Sequence, residues 1–177
     1  MVQTRQPAND VTVIYAIVLA AGASSRYGTS PPKQAELLPH VLAALRASTS
    51  LDGIVVVLGA HEVETDAQTV RCPDWERGPG ASLRCGFGAL PAEAEAAVVV
   101  LADGPKLDPR AVDRIASSWR LDGGDVVAAS YDGVRLHPVL LARAAWPDVP
   151  DEGARPLEVR LVACDDLTPP GDVDLRA

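Results

Sequence analysis

Aromatic residues are scarce in this chain of 177 residues: they make up 4% of it, with a single Phe and a single Met. A core built without them must be filled by Val, Leu, Ile and Ala, which suits a sheet covered by helices. Positive charge is also short, since 16 Lys and Arg stand against 24 Asp and Glu, a net charge of −8. That deficit argues against a nucleic-acid or anionic-membrane surface, because both need a basic footprint. It leaves room for a small phosphate ligand, which needs only a few local cations and backbone N–H groups. The three cysteines, Cys72, Cys85 and Cys164, are widely spaced and form no C-x-x-C pair. Neither a disulfide framework nor a zinc site is expected from them, and a reducing cytoplasm fits best. No apolar run, Ala96–Ala102 included, is long enough to span a bilayer. Residues 1–10 lack the apolar stretch of a signal peptide and read as a flexible N-terminal arm. The sequence predicts a soluble, cytoplasmic protein.

What the chain does contain is a regular alternation. Strand-length apolar runs are predicted at Val11–Ala21, Gly53–Leu58, Ala96–Ala102 and Asp125–Ser130, with further candidates at Val134–Leu141 and Val159–Ala163. Helices are predicted at Leu37–Ala47, Ala81–Leu90 and Pro109–Trp119. Such alternation implies one α/β domain over residues 11–177, with a mostly parallel sheet between two helical layers.

In open α/β sheets ligands gather at the carboxyl ends of the strands. The first such end reads Leu19-Ala20-Ala21-Gly22-Ala23-Ser24-Ser25-Arg26-Tyr27-Gly28 and reaches Lys33 after two prolines. Small residues let the backbone approach a ligand, and consecutive N–H groups can form an anion nest. Arg26 can fork onto phosphate oxygens while Lys33 supplies a compact charge. The same residues would also suit a tightly packed turn. Neither a Walker loop nor a G-x-G-x-x-G pattern is present.

L-A-A-G-x-S-x-R-x-G followed by Lys resembles the signature of the small nucleotidyltransferases that complete molybdenum cofactors, the cytidylyltransferases and molybdopterin-guanine dinucleotide synthases. Further segments occur in that family's order. Asp74-Trp75-Glu76-Arg77-Gly78 with Ser82-Leu83-Arg84-Cys85-Gly86 is similar to its W-x-x-G…S-L-R-x-G element. Leu101-Ala102-Asp103-Gly104-Pro105 is similar to its L-x-D-x-P strand end. Arg135-Leu136-His137-Pro138 and Gly153-Ala154-Arg155 resemble its G-H-P and G-A-R elements.

The resemblance implies a Rossmann-like three-layer α/β/α domain of the nucleotide-diphospho-sugar transferase type. It implies a Mg²⁺-dependent transfer of a nucleoside monophosphate to a phosphorylated acceptor, with release of pyrophosphate. Arg26, Lys33 and Asp103 would be catalytic, Asp103 also holding the metal. Leu19, Ala20, Ala21, Gly22, Ser24, Asp74, Gly80, Ser82 and Arg84 would hold the nucleotide. Arg135, His137 and Arg155 would shape the acceptor site. Asp172 and Asp174 resemble a D-x-D-T element that supplies a second metal ligand, although Leu175 replaces the Thr and a solvated acidic tail explains them equally well. For Ser82 a helix cap, for Asp74 an exposed turn, for His137 a core hydrogen bond and for the arginines surface ion pairs remain alternatives.

Ala21 stands where guanylyl-transferring relatives have Gly, which favours CTP over GTP, and the expected acceptor is a molybdopterin, with a molybdoenzyme as a possible recipient. Other acceptors, GTP, or a non-catalytic nucleotide or cofactor carrier are the alternatives.

Overall fold

The computed structural model describes residues 11–23 and 32–171. Ser24 and Arg26, the arm at residues 1–10, and Asp172 and Asp174 lie outside the described residues.

Among the described residues, seven strands form one sheet in the order β3-β2-β1-β4-β6-β5-β7. They are β1 (Ile14–Ala20), β2 (Gly53–Leu58), β3 (Gln68–Arg71), β4 (Ala96–Leu101), β5 (Val126–Tyr131), β6 (Val134–Ala142) and β7 (Arg160–Ala163). Four pairings are parallel, and only β6 runs against its neighbours β4 and β5. The expected mostly parallel sheet is therefore present, as a mixed sheet with one reversed strand. Three helices among the described residues cover it: α1 (Lys33–Ala47), α2 (Pro79–Gly88) and α3 (Pro109–Asp122).

The period-2 alternation of each strand sorts its apolar residues between two layers. Ile14, Ala16, Val18 and Ala20 of β1 face α1 and α3 together with Val56, Val98 and Val100. Ile17 faces the other way, with Val57, Ala97 and Val99, against Leu83 and Phe87 of α2. Leu38, Val41, Leu42 and Leu45 recur at helical spacing along α1 and are at most 3% exposed, and the full burial of each stabilises by roughly 1.5–3 kcal/mol. A 3₁₀ segment, Arg143–Asp148, completes the α2 layer by stacking Trp146 on Phe87 at 4.7 Å. Asp108 caps α3 through its carboxylate on the Arg110 N–H, ahead of Pro109 at the first helical position.

Two local expectations need correction. Helix α1 begins at Lys33 rather than Leu37, with Pro32 as its N-cap, so no strand intervenes between the loop lysine and the helix. Cys72 and Cys85 are joined by a disulfide, with their Cα atoms 5.7 Å apart. Their distance in sequence hid this. Cys72 follows β3, and α2 returns across the same face of the sheet to bring Cys85 to it.

Candidate active site

The parallel strands place the ends of β1, β2 and β4 on one edge. Register alignment sets Leu19 beside both Val57 and Leu101, and the Ala102 N–H donates to the Leu19 carbonyl at 3.0 Å, carrying the pairing past the strand end. A cavity of about 370 Å³ opens there. Leu19, Ala21 and Gly22 form one wall, Leu101, Ala102 and Asp103 a second, and Gly78, Pro79 and Ser82 at the start of α2 a third. Lys33, Gln34 and Trp75 complete it.

Within this cavity the Lys33 ammonium lies 2.7 Å from Asp103 Oδ2. The pair joins the first residue of α1 to the second residue after β4, so the sheet register and the α1 packing together set its geometry. The lysine side chain is only 10% exposed and the aspartate 27%. A cation at the positive end of a helix needs such a counter-charge.

The glycine loop is held from two sides. Gln34 donates from Nε2 to the Gly22 carbonyl at 2.8 Å, and His61 Nε2 lies 2.8 Å from the Ala23 carbonyl. Beneath it the Ala60 N–H donates to the Ala21 carbonyl at 3.1 Å. Gly59 packs so closely on Ala21 and Trp75 that a Cβ would lie 2.6 Å from the Ala21 oxygen and 2.7 Å from Trp75 Cγ. Sequence reasoning missed Gln34, His61 and the cavity-facing position of Trp75. The polar pair Lys33-Gln34 at a helix start was the one signal available for the first of these.

Other expected site residues sit elsewhere. Ala20 is buried under α1, in the layer opposite α2. Asp74 is exposed and makes no cap hydrogen bond. Gly80 faces the loop after the 3₁₀ segment. Its N–H donates to the Asp151 carbonyl at 2.9 Å, and a Cβ would stand 1.7 Å from the Pro150 oxygen. Arg84 donates to the Val149 carbonyl at 2.9 Å and pairs with Asp151, which also takes Arg77 at 3.1 Å. Those contacts hold Asp151 below the usual carboxylate range, the Arg84 hydrogen bond first. Ser82, 4% exposed, stays at the cavity.

The expected acceptor residues gather at the start of β6, which enters the sheet from this same edge. Arg135 donates to the carbonyls of Ala154, Arg155 and Leu157 at 3.0–3.4 Å. Burial, and then the charge of Arg155, lower its pKa. His137 precedes a cis Pro138 and lines a small crevice with Gly104, Leu107 and Pro170. Burial pushes its pKa down to about 4; Asp103 opposes that shift, and Arg135 and Arg155 add to it.

A mixed Rossmann-like sheet with a cation–carboxylate pair in a cavity at its parallel strand ends has its candidate site where open α/β sheets bind their ligands. The model of the MobA-like NTP transferase domain matches residues 16–157. The chain belongs to that family and is a nucleotidyltransferase of the MobA-like type. The nicotine blue oxidoreductase of Paenarthrobacter nicotinovorans is 29% identical, with 93% of this chain and 94% of that protein aligned. The crystal structure of Rv0371c from Mycobacterium tuberculosis H37Rv is 26% identical and has a TM-score of 0.76, over 93% of this chain and 94% of that one. A complex of Rv0371c with manganese matches at 23% identity and a TM-score of 0.67, over 89% of this chain and 91% of that one. No described helix is long and apolar enough to cross a membrane.

Proposed function

We propose that the protein transfers CMP from CTP to the terminal phosphate of a molybdopterin-type acceptor, with Mg²⁺ held at Asp103. The observation that carries this reading is the Lys33–Asp103 pair, 2.7 Å apart in a cavity walled by the β1 and β4 ends. Among the described residues no cluster of three His, Cys, Asp or Glu forms a metal cage. One carboxylate opening on a cavity nevertheless fits Mg²⁺, which is commonly held by one or two carboxylates, substrate phosphates and water. Bound there, the metal would neutralise triphosphate charge.

An oxygen of the acceptor phosphate attacks the α-phosphorus in line. A new P–O bond forms, the bond to the β-phosphate oxygen breaks, and pyrophosphate carries away the electron pair. The attacking phosphate is already anionic at neutral pH, so alignment and charge stabilisation do most of the work. Lys33 supplies positive charge at the phosphates and Arg26 forks onto their oxygens. The Ala21–Gly22 backbone and Ser82 hold the nucleotide, and the Arg135–His137 segment with Arg155 borders the acceptor. The preference for CTP rests on Ala21.

Incubating the protein with Mg²⁺, each NTP in turn and molybdopterin, while following pyrophosphate, tests the reading. CTP-dependent release that Asp103→Asn abolishes, with the fold intact by circular dichroism, is expected. Turnover with GTP alone would replace the donor, and turnover only with a different phosphorylated acceptor would replace molybdopterin. Nucleotide binding without release from any NTP would overturn transfer. It would favour a second reading, in which the cavity serves oxidation–reduction, as the name of the 29% identical relative suggests.

A further inference from the structure

Lys33 and Asp103 raise a conflict that bears on how the site fills. A divalent cation bound at Asp103 must occupy space next to its carboxylate oxygens, and the Lys33 ammonium stands 2.7 Å from one of them. Two cations cannot share that position without strong repulsion. Nor is the lysine a loosely held surface group that drifts aside. Its backbone is fixed as the first residue of α1, and its side chain is 10% exposed.

We propose that Lys33 is a positioning residue that holds the cation position of the empty site, so that metal and nucleotide enter together. This rests on the nucleotidyl-transfer reading of the same cavity. A triphosphate brings several anionic oxygens to the wall formed by Gly22 and Lys33. They offer the ammonium a better partner than one carboxylate, and Lys33 turns to them. Asp103 is thereby released at the moment when the phosphates supply the remaining ligands that Mg²⁺ requires. Asp103 is the one carboxylate among the described residues lining the cavity, so a metal arriving alone meets a carboxylate already neutralised by the lysine. The consequence is a change of sign: Lys33 opposes metal binding without nucleotide and favours nucleotide binding.

The test is Mn²⁺ titration of the full chain, followed by the loss of the free-ion electron paramagnetic resonance signal. The expectation without nucleotide is weak binding by the native protein. Lys33→Gln should bind roughly tenfold tighter or better, because the competing charge is gone, while its affinity for CTP falls. Lys33→Arg keeps the charge and should stay weak. Lys33→Met serves in place of Gln if that variant fails to fold. Asp103→Asn added to Lys33→Gln should erase the gain.

Unchanged or weaker Mn²⁺ binding in both neutral variants would overturn the proposal, as would a gain that survives loss of Asp103. If native protein releases pyrophosphate but the neutral variants show no gain, only this inference fails. If no NTP supports release, the transfer reading fails, while the Mn²⁺ titration still decides whether Lys33 guards Asp103.

Discussion

Gln34, the second residue of α1, donates its side-chain amide to the Gly22 carbonyl at 2.8 Å and is 6% exposed. The bond ties the helix carrying Lys33 to the loop that ends β1, so one side chain couples two walls of the cavity. Gln34→Ala is expected to weaken nucleotide binding roughly three- to tenfold, the worth of one hydrogen bond. Gln34→Glu, which keeps the size and loses the donor, should behave alike. Calorimetric nucleotide titration checks this beside thermal melts. A melting temperature that falls while affinity holds would make the bond purely structural.

Gly80 sits where the start of α2 meets the Pro150–Asp151 turn. A Cβ there would lie 1.7 Å from the Pro150 oxygen and 2.7 Å from its carbonyl carbon. Both obstacles are backbone, so relief requires moving the turn and with it the Asp151 carboxylate that pairs with Arg84 and Arg77. Gly80→Ala is expected to cost about 2–4 kcal/mol, at or above the usual range for overpacking. Urea unfolding measures it; a loss below ~0.5 kcal/mol would show the turn to be easily displaced.

The Cys72–Cys85 bond closes 13 residues of chain that include Trp75, Gly78, Pro79 and Ser82, all cavity residues. Removing a cross-link over a loop of that length is expected to cost about 3 kcal/mol. For a chain of this size that lowers the melting temperature by about 6–12 °C. Comparing native protein with and without reductant, alongside the Cys72→Ser/Cys85→Ser double variant, checks the effect. The double variant should melt low in both conditions, whereas equal melting in all samples would show that the closed loop is held by packing.

The site was legible in the sequence where a strand end dictated it. The apolar run at Ala96–Ala102 forces the next residue, Asp103, to the ligand edge whatever the rest of the fold does. The L-A-A-G turn follows β1 for the same reason. Direction was not legible in β6, because its buried half, Pro138–Leu141, is apolar on both faces and reads alike whether it runs with or against its neighbours. Strand β3 escaped notice because Gln68–Arg71 is four residues long, on the sheet edge and mostly exposed, with no apolar run to announce it. The disulfide depends on that strand and on the return of α2, and the Arg84–Asp151 pair on the meeting of α2 with the Pro150–Asp151 turn, so both exist only in three dimensions. Gly80, taken as a ligand-facing glycine, instead makes room for the Pro150 carbonyl.

His137 gives the fold a pH dependence with a definite sign. Burial lowers its pKa to about 4 against an ordinary 6.5, so the folded protein keeps the ring neutral where the unfolded chain would protonate it. Between those values the unfolded state binds the extra proton. The stability associated with the neutral ring is therefore complete above pH 6.5 and is lost as pH falls towards 4. Because the residue is only partly buried by surface area, the loss is expected to be on the order of 1–3 kcal/mol. Carboxylates titrate in the same range, so the readout is the stability difference between native protein and His137→Gln in urea at pH 7.5, 7, 6, 5 and 4.5. The difference should move against the native protein as pH falls and should be constant from pH 7 to 7.5. Asp103 opposes the burial effect, while Arg135 and Arg155 reinforce it. In an Asp103→Asn background the folded pKa should drop further, carrying the loss to lower pH. A difference independent of pH throughout would mean that the ring is solvated in the folded protein and that the β6 entry is open to water.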